Sequence, residues 1–454
     1  MVNLLITMRC NRACSYCFAK EKLHSYAQKK VETEISLENL NKVADFLIKS
    51  KCDAIQLAGG EPTIHPKFKE ILLTLLGKKI SVNLLTNALW NSELNYIFDN
   101  VSPTSLGFLL NIDKPALYNI QERGRLEENL AFLSKRGNVT LSFNLFEKKP
   151  DYDYIFDMVT KYGFRNLRLS FSMPAKFEDK TNIYLDIHDY KVMAKYVMDF
   201  VHKAEQLGAT VGMDNAVPIC MFNPKELSEL MIKQVVSPNR NFVCYPAIDI
   251  GPDLSVWRCF GTSKLFNKKL EEFKTLSDIY DYYQRVSRLY QFKFFPLEAC
   301  ITCEYAKKEQ CQGGCIGFAE SKCEELDISV LDSSDRELLN MKPMLSDEIS
   351  IRKYTLPTET ATIHFRDGCE IEIPSSIAEL IPFFDGKKTI LQALKTKICG
   401  DPKSPEDDVF GELLLEMSSQ ETTPIIRRLL EKKVLLIKEA DPIFLSSQIR
   451  KKIN

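Results

Sequence analysis

The stretch Met8-Arg-Cys-Asn-Arg-Ala-Cys-Ser-Tyr-Cys-Phe18 places Cys10, Cys14 and Cys17 in the spacing C-x3-C-x2-C. Clustered thiolates hold iron–sulfur clusters, and three of them leave one iron of a 4Fe–4S cube without a protein ligand. The apolar run at 2–8 just before them is typical of a buried strand. Barrel enzymes place their chemistry in loops at the C-terminal ends of such strands. Half of a zinc site is the alternative, disfavoured because no second ligand pair with zinc-finger spacing lies nearby.

A second motif, Gly-Gly-Glu-Pro at 59–62, follows another strand-like run at 54–58. The triplet and this motif together resemble the radical S-adenosylmethionine (SAM) superfamily. In that family the motif binds the amino group of the methionine moiety of SAM. The resemblance therefore implies that Gly59 and Gly60 allow close backbone approach and that Glu61 supplies an anion for the ammonium.

Further cofactor contacts are implied by the same resemblance. Thr86 and Asn87 end the run 81–85 and match a third strand-end position facing the same mouth. Phe18 matches the aromatic residue that lies near the adenine in the family, although plain core packing is an equal alternative. The cofactors implied are one SAM-binding 4Fe–4S cluster and SAM itself.

The first 215 residues alternate between strand and helix patterns. Helical spacing of apolar residues follows Ser36, which we expect to be an N-cap, and a longer helix is predicted over 187–207. Together with the resemblance, this predicts an α/β fold with a partial (β/α)6 TIM-like barrel over residues 1–215. The runs predicted as six parallel strands are 2–8, 54–58, 81–85, 105–112, 139–146 and 166–173.

Three polar residues on the later strands could reach the mouth of this barrel and contact the cofactor. They are Asn144, Arg168 and Ser170. Arg168 and Ser170 are two residues apart on one strand, so their side chains face the same way. A structural role is the alternative for each of the three.

A second field of cysteines lies between residues 216 and 325. It resembles the SPASM extension of radical SAM enzymes, which houses two auxiliary 4Fe–4S clusters; a structural zinc ribbon is the alternative. The resemblance assigns Cys300, Cys303, Cys311 and Cys323 to an outer cluster. It assigns Cys244, Cys259 and Cys315 to an inner cluster, whose fourth position is Cys220, a substrate thiolate or open. Two features depart from the family: Leu254 replaces a usual glycine, with Gly251 nearby, and seven residues separate Cys303 from Cys311.

The C-terminal part has a different character. A linker is predicted at 326–344, and 361–373 reads as a hairpin around Asp367-Gly368. The last periodic segment, 425–437, reads as a helix that runs into a strand. Residues 345–454 thus resemble the winged-helix, α+β peptide-recognition element of ribosomal-peptide maturases, where a leader adds a strand to a sheet edge. A dimerising or packing winged helix is the alternative.

Composition limits the remaining function classes. The formal net charge of −1 over 454 residues lacks the basic excess of a nucleic-acid binder. No run approaches the roughly 20 apolar residues of a membrane span, and no signal peptide is evident. Fourteen cysteines without those signals favour metal ligation in a cytoplasmic protein.

The resemblance implies that SAM chelates the open iron and that one electron, from an external donor such as flavodoxin or ferredoxin, yields a 5′-deoxyadenosyl radical. The expected reaction is hydrogen abstraction from a ribosomally made precursor peptide, leading to a thioether, C–C or C–O cross-link. The sequence assigns no catalytic base or radical-quenching residue. Alternatives are small-molecule oxidation, formylglycine formation or a multi-cluster electron carrier. Formylglycine formation is weakened because Phe260 follows Cys259 where such relatives carry an acid.

Overall fold

A computed structural model of the chain divides into two compact units, Met1–Glu324 and Glu325–Asn454. No helix in the described part of the chain is long and apolar enough to cross a membrane. The structure describes residues 2–28, 31–177, 180–263, 267–292, 296–300, 302–318, 343–345, 349–354, 360–365, 370–374, 381–384, 387, 389–390, 392–393 and 435–437.

The first unit is built on one large twisted sheet and a small hairpin. Its strands are β1 (Val2–Leu5), β2 (Ala54–Ala58), β3 (Ser81–Thr86), β4 (Leu106–Asn111), β5 (Val139–Leu145), β6 (Asn166–Phe171), β7 (Lys176–Phe177), β8 (Lys180–Thr181), β9 (Thr210–Met213), β10 (Ile248–Ile250), β11 (Ser255–Arg258) and β12 (Lys268–Lys269). The large sheet has the order β12-β11-β10-β1-β2-β3-β4-β5-β6-β9, and β7 pairs with β8.

Strands β1 to β6 are parallel and adjacent in sequence order, which confirms the predicted α/β fold with a partial (β/α)6 TIM-like barrel. The sheet extends beyond the six predicted strands at both edges. β9 adds a seventh parallel strand beside β6, and β10 runs parallel to β1. β1 ends at Leu5 rather than at residue 8, so the cysteine triplet begins five residues past the strand.

Helices connect the parallel strands. Ser36 caps the second helix as predicted, its hydroxyl accepting from the Asn39 N–H at 3.1 Å. The predicted helix at 187–207 begins as a 3-10 turn at Ile187–Asp189 and continues to Gln206. The helices are α1 (Lys20–Gln28), α2 (Leu37–Lys49), α3 (Phe68–Gly77), α4 (Glu93–Asp99), α5 (Ile120–Leu133), α6 (Asp153–Tyr162), α7 (Tyr190–Gln206), α8 (Pro224–Ile232), α9 (Pro238–Asn241), α10 (Leu276–Phe292) and α11 (Glu304–Lys307).

Short 3-10 turns carry several of the loops at the strand ends. They are Pro62–Ile64, Pro115–Leu117, Ile187–Asp189, Ile219–Met221, Phe260–Thr262, Leu270–Glu272 and Glu298–Cys300 in the first unit, and Ile381–Phe383 in the second. The turn at Pro62–Ile64 begins directly after the Gly-Gly-Glu motif, and Pro62 occupies its first position, where a missing N–H is tolerated.

β10 and β11 form a tight antiparallel hairpin at the edge of the large sheet. Its turn spans Gly251 to Leu254, and the Leu254 N–H donates to the Gly251 carbonyl at 3.0 Å. Leu254 has a φ of +63°, the left-handed conformation that glycine adopts more readily. Leu254 thus keeps the backbone shape of the glycine that the SPASM pattern has there, and the departure noted in the sequence does not disrupt the hairpin.

The second unit contains two small antiparallel sheets. β13 (Pro343–Leu345) pairs with β17 (Leu435–Ile437), while β14 (Ile349–Tyr354), β15 (Thr360–Phe365) and β16 (Glu370–Pro374) form a sheet in that order. The strands of the predicted hairpin at 361–373 therefore pair, with His364 opposite Glu370. Its turn and the helices predicted beside it lie largely outside the described residues.

Candidate functional site

The cysteine triplet lies in a loop that is hydrogen-bonded to the Gly-Gly-Glu loop at the end of the next strand. The Gly60 N–H donates to the Thr7 carbonyl at 2.9 Å, and the Glu61 N–H donates to the Arg9 carbonyl at 2.8 Å. A Cβ on Gly60 would lie 2.1 Å from the Arg9 oxygen. Glycine is needed here because one backbone packs directly against another.

The three thiols share one loop but differ in exposure. Cys10 is exposed, while Cys14 and Cys17 are half-buried. The Cys17 N–H donates to the Cys14 carbonyl at 3.2 Å, which folds the last three residues of the triplet into a turn. Burial raises the pKa of Cys10 to about 11 and, with the charge of Asp113, that of Cys14 to about 12. Because a metal binds thiolates, loading this loop would release protons.

Glu61 is a buried hydrogen-bond acceptor, with 1% of its surface exposed. One carboxylate oxygen accepts from the Thr63 N–H at 3.2 Å, the Thr63 hydroxyl at 2.6 Å and the Thr86 hydroxyl at 2.8 Å. The other accepts from the Asn87 N–H at 2.8 Å. Burial raises the pKa of Glu61, although these hydrogen bonds oppose the rise. In this arrangement the carboxylate fixes the loop, and its role as an anion for the ammonium of SAM stays a prediction.

Asn87 ties the third strand end to the triplet. Its side-chain NH2 group donates to the Asn11 side-chain oxygen at 2.7 Å, and its own oxygen accepts from the Leu89 N–H at 3.0 Å. The ends of β1, β2 and β3 therefore meet through Cys10's neighbour Asn11, Glu61 and the Thr86-Asn87 pair. These three strand ends lie together because the carboxyl ends of parallel strands share one edge of the sheet, as the sequence predicts.

Asp113 is a site residue that the sequence did not reveal. It follows β4, is 7% exposed, and accepts from the Tyr16 hydroxyl at 2.6 Å and the Arg12 guanidinium at 3.0 Å. The Cys14 sulfur lies 3.4 Å from the same carboxylate. The Arg12 guanidinium also stacks 4.3 Å above the Tyr118 ring. A buried carboxylate thus organises the middle of the triplet loop from a position 99 residues further along the chain.

Asn144 lies beside this group. It helps line a cavity of about 10 Å³ together with Tyr16, Asp113 and the ring of Phe146, which stacks on Tyr16 at 4.7 Å. A space of that size suits roughly one water molecule. The cavity therefore does not itself provide a pocket for a substrate side chain.

Arg168 and Ser170 both contact the segment that follows β9. The Arg168 guanidinium donates to the Ser142 hydroxyl at 2.8 Å and pairs with Asp214. The Ser170 hydroxyl bonds the side-chain oxygen of Asn215. The predicted common direction of the two side chains agrees with these contacts. Among the described residues, these partners lie in β5 and in the segment just after β9, and not in the triplet.

Phe18 is 45% exposed, and its ring meets the edge of the Phe260 ring at 5.2 Å between centroids. Phe260 in turn contacts the buried Trp257 at 6.0 Å. Leu5, Met8, Ala19, Leu23, Tyr26 and Trp257 form one buried apolar cluster. The triplet loop is thereby packed against the hairpin that carries Cys259.

The inner group of auxiliary cysteines assembles around Cys315. Burial raises the pKa of Cys315 well above its usual value, and charges at Cys244 and Cys259 raise it further. The Gly317 N–H donates to the Cys315 sulfur at 3.3 Å. These three thiols, which the SPASM resemblance assigns to one cluster, lie within electrostatic range of each other.

Arg258 supplies an independent indication that an anionic group belongs here. Its guanidinium is buried, with 2% of the residue exposed, and donates to the Cys244 carbonyl at 2.7 Å. Its Nε and Nη1 atoms have no hydrogen-bond partner within the described part of the chain. A buried cation with unused donors is costly unless an anion accepts from it. The sulfides of an iron–sulfur cluster fit this requirement.

The outer group contains Cys300, Cys303 and Cys311. The Cys303 N–H donates to the Cys300 carbonyl at 3.2 Å, and the Gly313 N–H donates to the Cys311 sulfur at 3.3 Å. Cys323, the fourth predicted ligand, lies outside the described residues. Over those residues no three His, Cys, Asp or Glu side chains converge as one metal ion would require. A 4Fe–4S cube has a different requirement, because each of its irons binds a separate thiolate.

The model of the radical SAM superfamily matches residues 4–232, half of the 454-residue chain. A curated relative, the S-adenosylmethionine-dependent nucleotide dehydratase of Selenomonas ruminantium, is 36% identical over 87 residues, which are 19% of this chain and 29% of that protein. This chain thus matches less than a third of the length of that relative.

Two solved structures are similar in fold. The structure of Streptococcus suis SuiB bound to precursor peptide SuiA is 15% identical with a TM-score of 0.52, covering 72% of this chain and 73% of that one. Native anSMEcpe with bound S-adenosylmethionine is 17% identical with a TM-score of 0.51, covering 72% of this chain and 96% of that one. Together with the family match and the triplet beside Gly59–Glu61, these findings place the chain in the radical SAM superfamily of enzymes, which use a 4Fe–4S cluster and SAM.

Proposed function

We propose that this chain modifies a ribosomally made precursor peptide by abstracting a hydrogen atom from it, which leads to an oxidative cross-link of the thioether, C–C or C–O type. The observation that carries the proposal is the direct hydrogen bonding between the triplet loop and the Gly-Gly-Glu loop at neighbouring strand ends. It supports a three-thiolate site that lies beside a backbone site for a small cofactor.

Cys10, Cys14 and Cys17 would hold the cluster through three irons. When bound, the reduced cluster and SAM supply a 5′-deoxyadenosyl radical. The main chain of Gly60 and Glu61 is held by hydrogen bonds to Thr7 and Arg9. The Glu61 carboxylate also accepts from Thr86 and Asn87, so this loop would orient the methionine end of SAM without reorganising. Thr86 and Asn87 contribute by fixing Glu61 and Asn11, while Phe18 would border the adenine.

Asn144, Arg168 and Ser170 are proposed to support the far side of the cofactor site. Arg168 and Ser170 hold the Asp214-Asn215 segment against β6, and Asn144 lies beside Tyr16 and Asp113. Their common effect would be a rigid wall at the ends of β5 and β6. A rigid wall keeps reacting atoms aligned.

A peptide substrate is supported by the similar fold of SuiB bound to its precursor peptide and of anSMEcpe, which has also been solved with a peptide, Cp18Cys. The proposed organisation is a barrel at 1–215, an auxiliary-cluster region at 216–325, a linker at 326–344 and a peptide-recognition region at 345–454. In the last region β14 and β16 are the outer strands of a three-stranded sheet. A leader peptide could add a strand to such an edge.

Two auxiliary 4Fe–4S clusters are proposed as acceptors of the surplus electron. Cys244, Cys259 and Cys315 would hold the inner one beside Arg258. Cys300, Cys303 and Cys311 would hold the outer one. The electron that starts the reaction would come from an external donor such as flavodoxin or ferredoxin.

Formylglycine formation is less well supported. The residue after Cys259 is Phe260, and its ring is occupied by contacts with Phe18 and Trp257. No carboxylate is therefore available at the position where sulfatase maturases carry an acid.

The test is to reconstitute the full chain anaerobically, reduce it, and add SAM with a precursor peptide encoded beside its gene. We expect 5′-deoxyadenosine together with a peptide that is lighter by two hydrogens. Cys14→Ala should abolish both products. Cys52→Ala is the matched control, because the Cys52 thiol donates to the Ala54 carbonyl at 3.3 Å and is assigned to no cluster. Formation of 5′-deoxyadenosine with an unaltered peptide would refute the peptide substrate, and its absence would refute the enzyme proposal.

A further inference from the structure

Cys220 lies in the 3-10 turn Ile219–Met221, between β9 and α8, and precedes the other cysteines of the auxiliary region in the sequence. Met221 is buried and anchors the turn, while the Cys220 thiol is exposed. The sequence suggested Cys220 as one candidate for the missing ligand of the inner cluster. The contacts of this turn are with the outer group of cysteines instead.

The turn contacts the outer group directly. The N–H of Ile219, the residue before Cys220, donates to the Cys311 sulfur at 3.5 Å. On the other side, a Cβ added to Gly314 would lie 3.6 Å from the Pro218 ring. The backbone just before Cys220 therefore packs on the loop 311–314.

The charge interactions among the cysteines form the same two groups, an outer one and an inner one. Cys220 and Cys303 both lie close enough to Cys300 and Cys311 for their charges to interact. For the buried Cys315 the neighbouring thiols are Cys244 and Cys259. Cys220 thus belongs with the outer group and not with the inner one.

We propose that Cys220 is the fourth thiolate of the outer auxiliary cluster, completing the set Cys300, Cys303 and Cys311. The inference rests on the proposed auxiliary clusters, but not on SAM cleavage or on the peptide substrate. A four-thiolate outer cluster is closed and suited to electron transfer. The inner cluster then keeps three protein thiolates, and its remaining iron is left for a substrate atom or solvent.

The test compares Cys220→Ala, Cys323→Ala and Cys52→Ala in the full chain after anaerobic reconstitution. Iron and sulfide per chain are measured, together with the EPR spectrum of the dithionite-reduced protein. We expect Cys220→Ala to lose about four irons, or the signal of one cluster, relative to wild type. Cys52→Ala should keep the wild-type content, and loss of iron in Cys323→Ala but not in Cys220→Ala would assign the fourth position to Cys323 and overturn the proposal. A wild-type iron content and spectrum in Cys220→Ala would overturn the proposal.

Cys220→Ser keeps the proposal testable if the alanine variant does not fold. Serine can replace a thiolate ligand with an alkoxide, which shifts the potential of the one cluster it touches. We expect a shifted midpoint potential for one EPR signal in Cys220→Ser, and unchanged potentials for all signals would overturn the assignment. Iron content and potentials are read without SAM, so failure here is distinct from failure to form 5′-deoxyadenosine.

Discussion

The main-chain N–H of Glu61 donates to the carbonyl of Arg9 across 2.8 Å, so the loop that would orient SAM is attached to the loop that carries the triplet. This contact joins the ends of β1 and β2 directly, without an intervening side chain. A change that separates the two backbones should therefore disturb cofactor binding before it disturbs the fold.

Gly60→Ala is expected to separate these loops, because its Cβ would lie 2.1 Å from the Arg9 oxygen. A displacement of ~1 Å at a reacting centre can lower a rate about 100-fold, so we expect 5′-deoxyadenosine formation to fall at least tenfold. Gly124→Ala, in the middle of α5 with nothing within 4 Å, is the control and should keep full activity. Equal rates in the two variants would contradict the close-approach argument.

Glu61→Gln is expected to destabilise the loop although it preserves the shape of the side chain. The carboxylate accepts four hydrogen bonds, and an amide would turn an NH2 group toward one of these donors. Leaving a buried group unsatisfied costs about 1–3 kcal/mol. Denaturant unfolding should show this loss, and SAM affinity measured by calorimetry should fall as well. If stability were unchanged and only SAM affinity fell, Glu61 would be a direct ligand of the ammonium.

Asp113→Asn is expected to raise the reduction potential of the SAM-binding cluster, because it removes a negative charge 3.4 Å from the Cys14 sulfur. Glu122→Gln is a matched control. Glu122 also pairs with Arg12, at 3.3 Å, but among the described residues its carboxylate is not hydrogen-bonded to a cysteine. In an EPR-monitored redox titration, the shift in reduction potential should be clearly larger for Asp113→Asn than for Glu122→Gln. Equal shifts would indicate that both variants act through Arg12.

Arg258→Met should lower the reduction potential of the proposed inner auxiliary cluster, since it removes a buried cation whose charge acts on Cys259 and Cys315. Arg258→Lys keeps the charge but loses the fork of donors, so its shift should be smaller. Iron content is measured in parallel to establish that the cluster is retained. A retained cluster with an unchanged potential in Arg258→Met would show that the guanidinium does not act on it.

Titration of the Asp249 carboxyl makes the free energy of unfolding depend on pH. Burial raises its pKa to about 7, whereas an unfolded chain would titrate near 4. The folded protein therefore binds this proton more tightly, and its stability falls as pH rises from about 4 through 7. Asp249→Asn, which can still accept the 2.7 Å hydrogen bond from Asn3, should exceed wild type in stability at pH 8. The difference should shrink toward pH 5 in denaturant titrations, and a constant difference would contradict this explanation.

Local patterns were sufficient to predict the parallel strands, the Ser36 cap and the grouping of the triplet with Gly59–Glu61. Each of these depends on residues near each other in sequence or on the rule that parallel strand ends share one edge. β9 was missed because Thr210–Met213 is only four residues long and alternates exposed and buried positions. Such a short run is difficult to distinguish from a loop.

Asp113 and Cys220 could not be placed from the sequence for a different reason. Asp113 is a single acid after a strand, and its partners Arg12, Cys14 and Tyr16 are about a hundred residues away. Cys220 can be assigned to a group of thiols only when the turn Ile219–Met221 is seen against Cys311. Contacts over such separations are set by packing and leave no periodic signal in the chain.

β10 pairs with β1 in register, with Asn3 opposite Asp249, and this ladder joins the strand before the triplet to the first strand of the hairpin that ends at Cys259. The separation between the first cluster and the proposed inner auxiliary cluster would therefore depend on the register of this ladder, in steps of about 3.3 Å per residue. Insertions in the turn at 251–254 would leave that separation intact, whereas a slip of one residue in the β1–β10 ladder would change it. Because electron tunnelling weakens steeply with distance, the electron route of this enzyme would be encoded in strand register and would tolerate much variation in the surrounding loops.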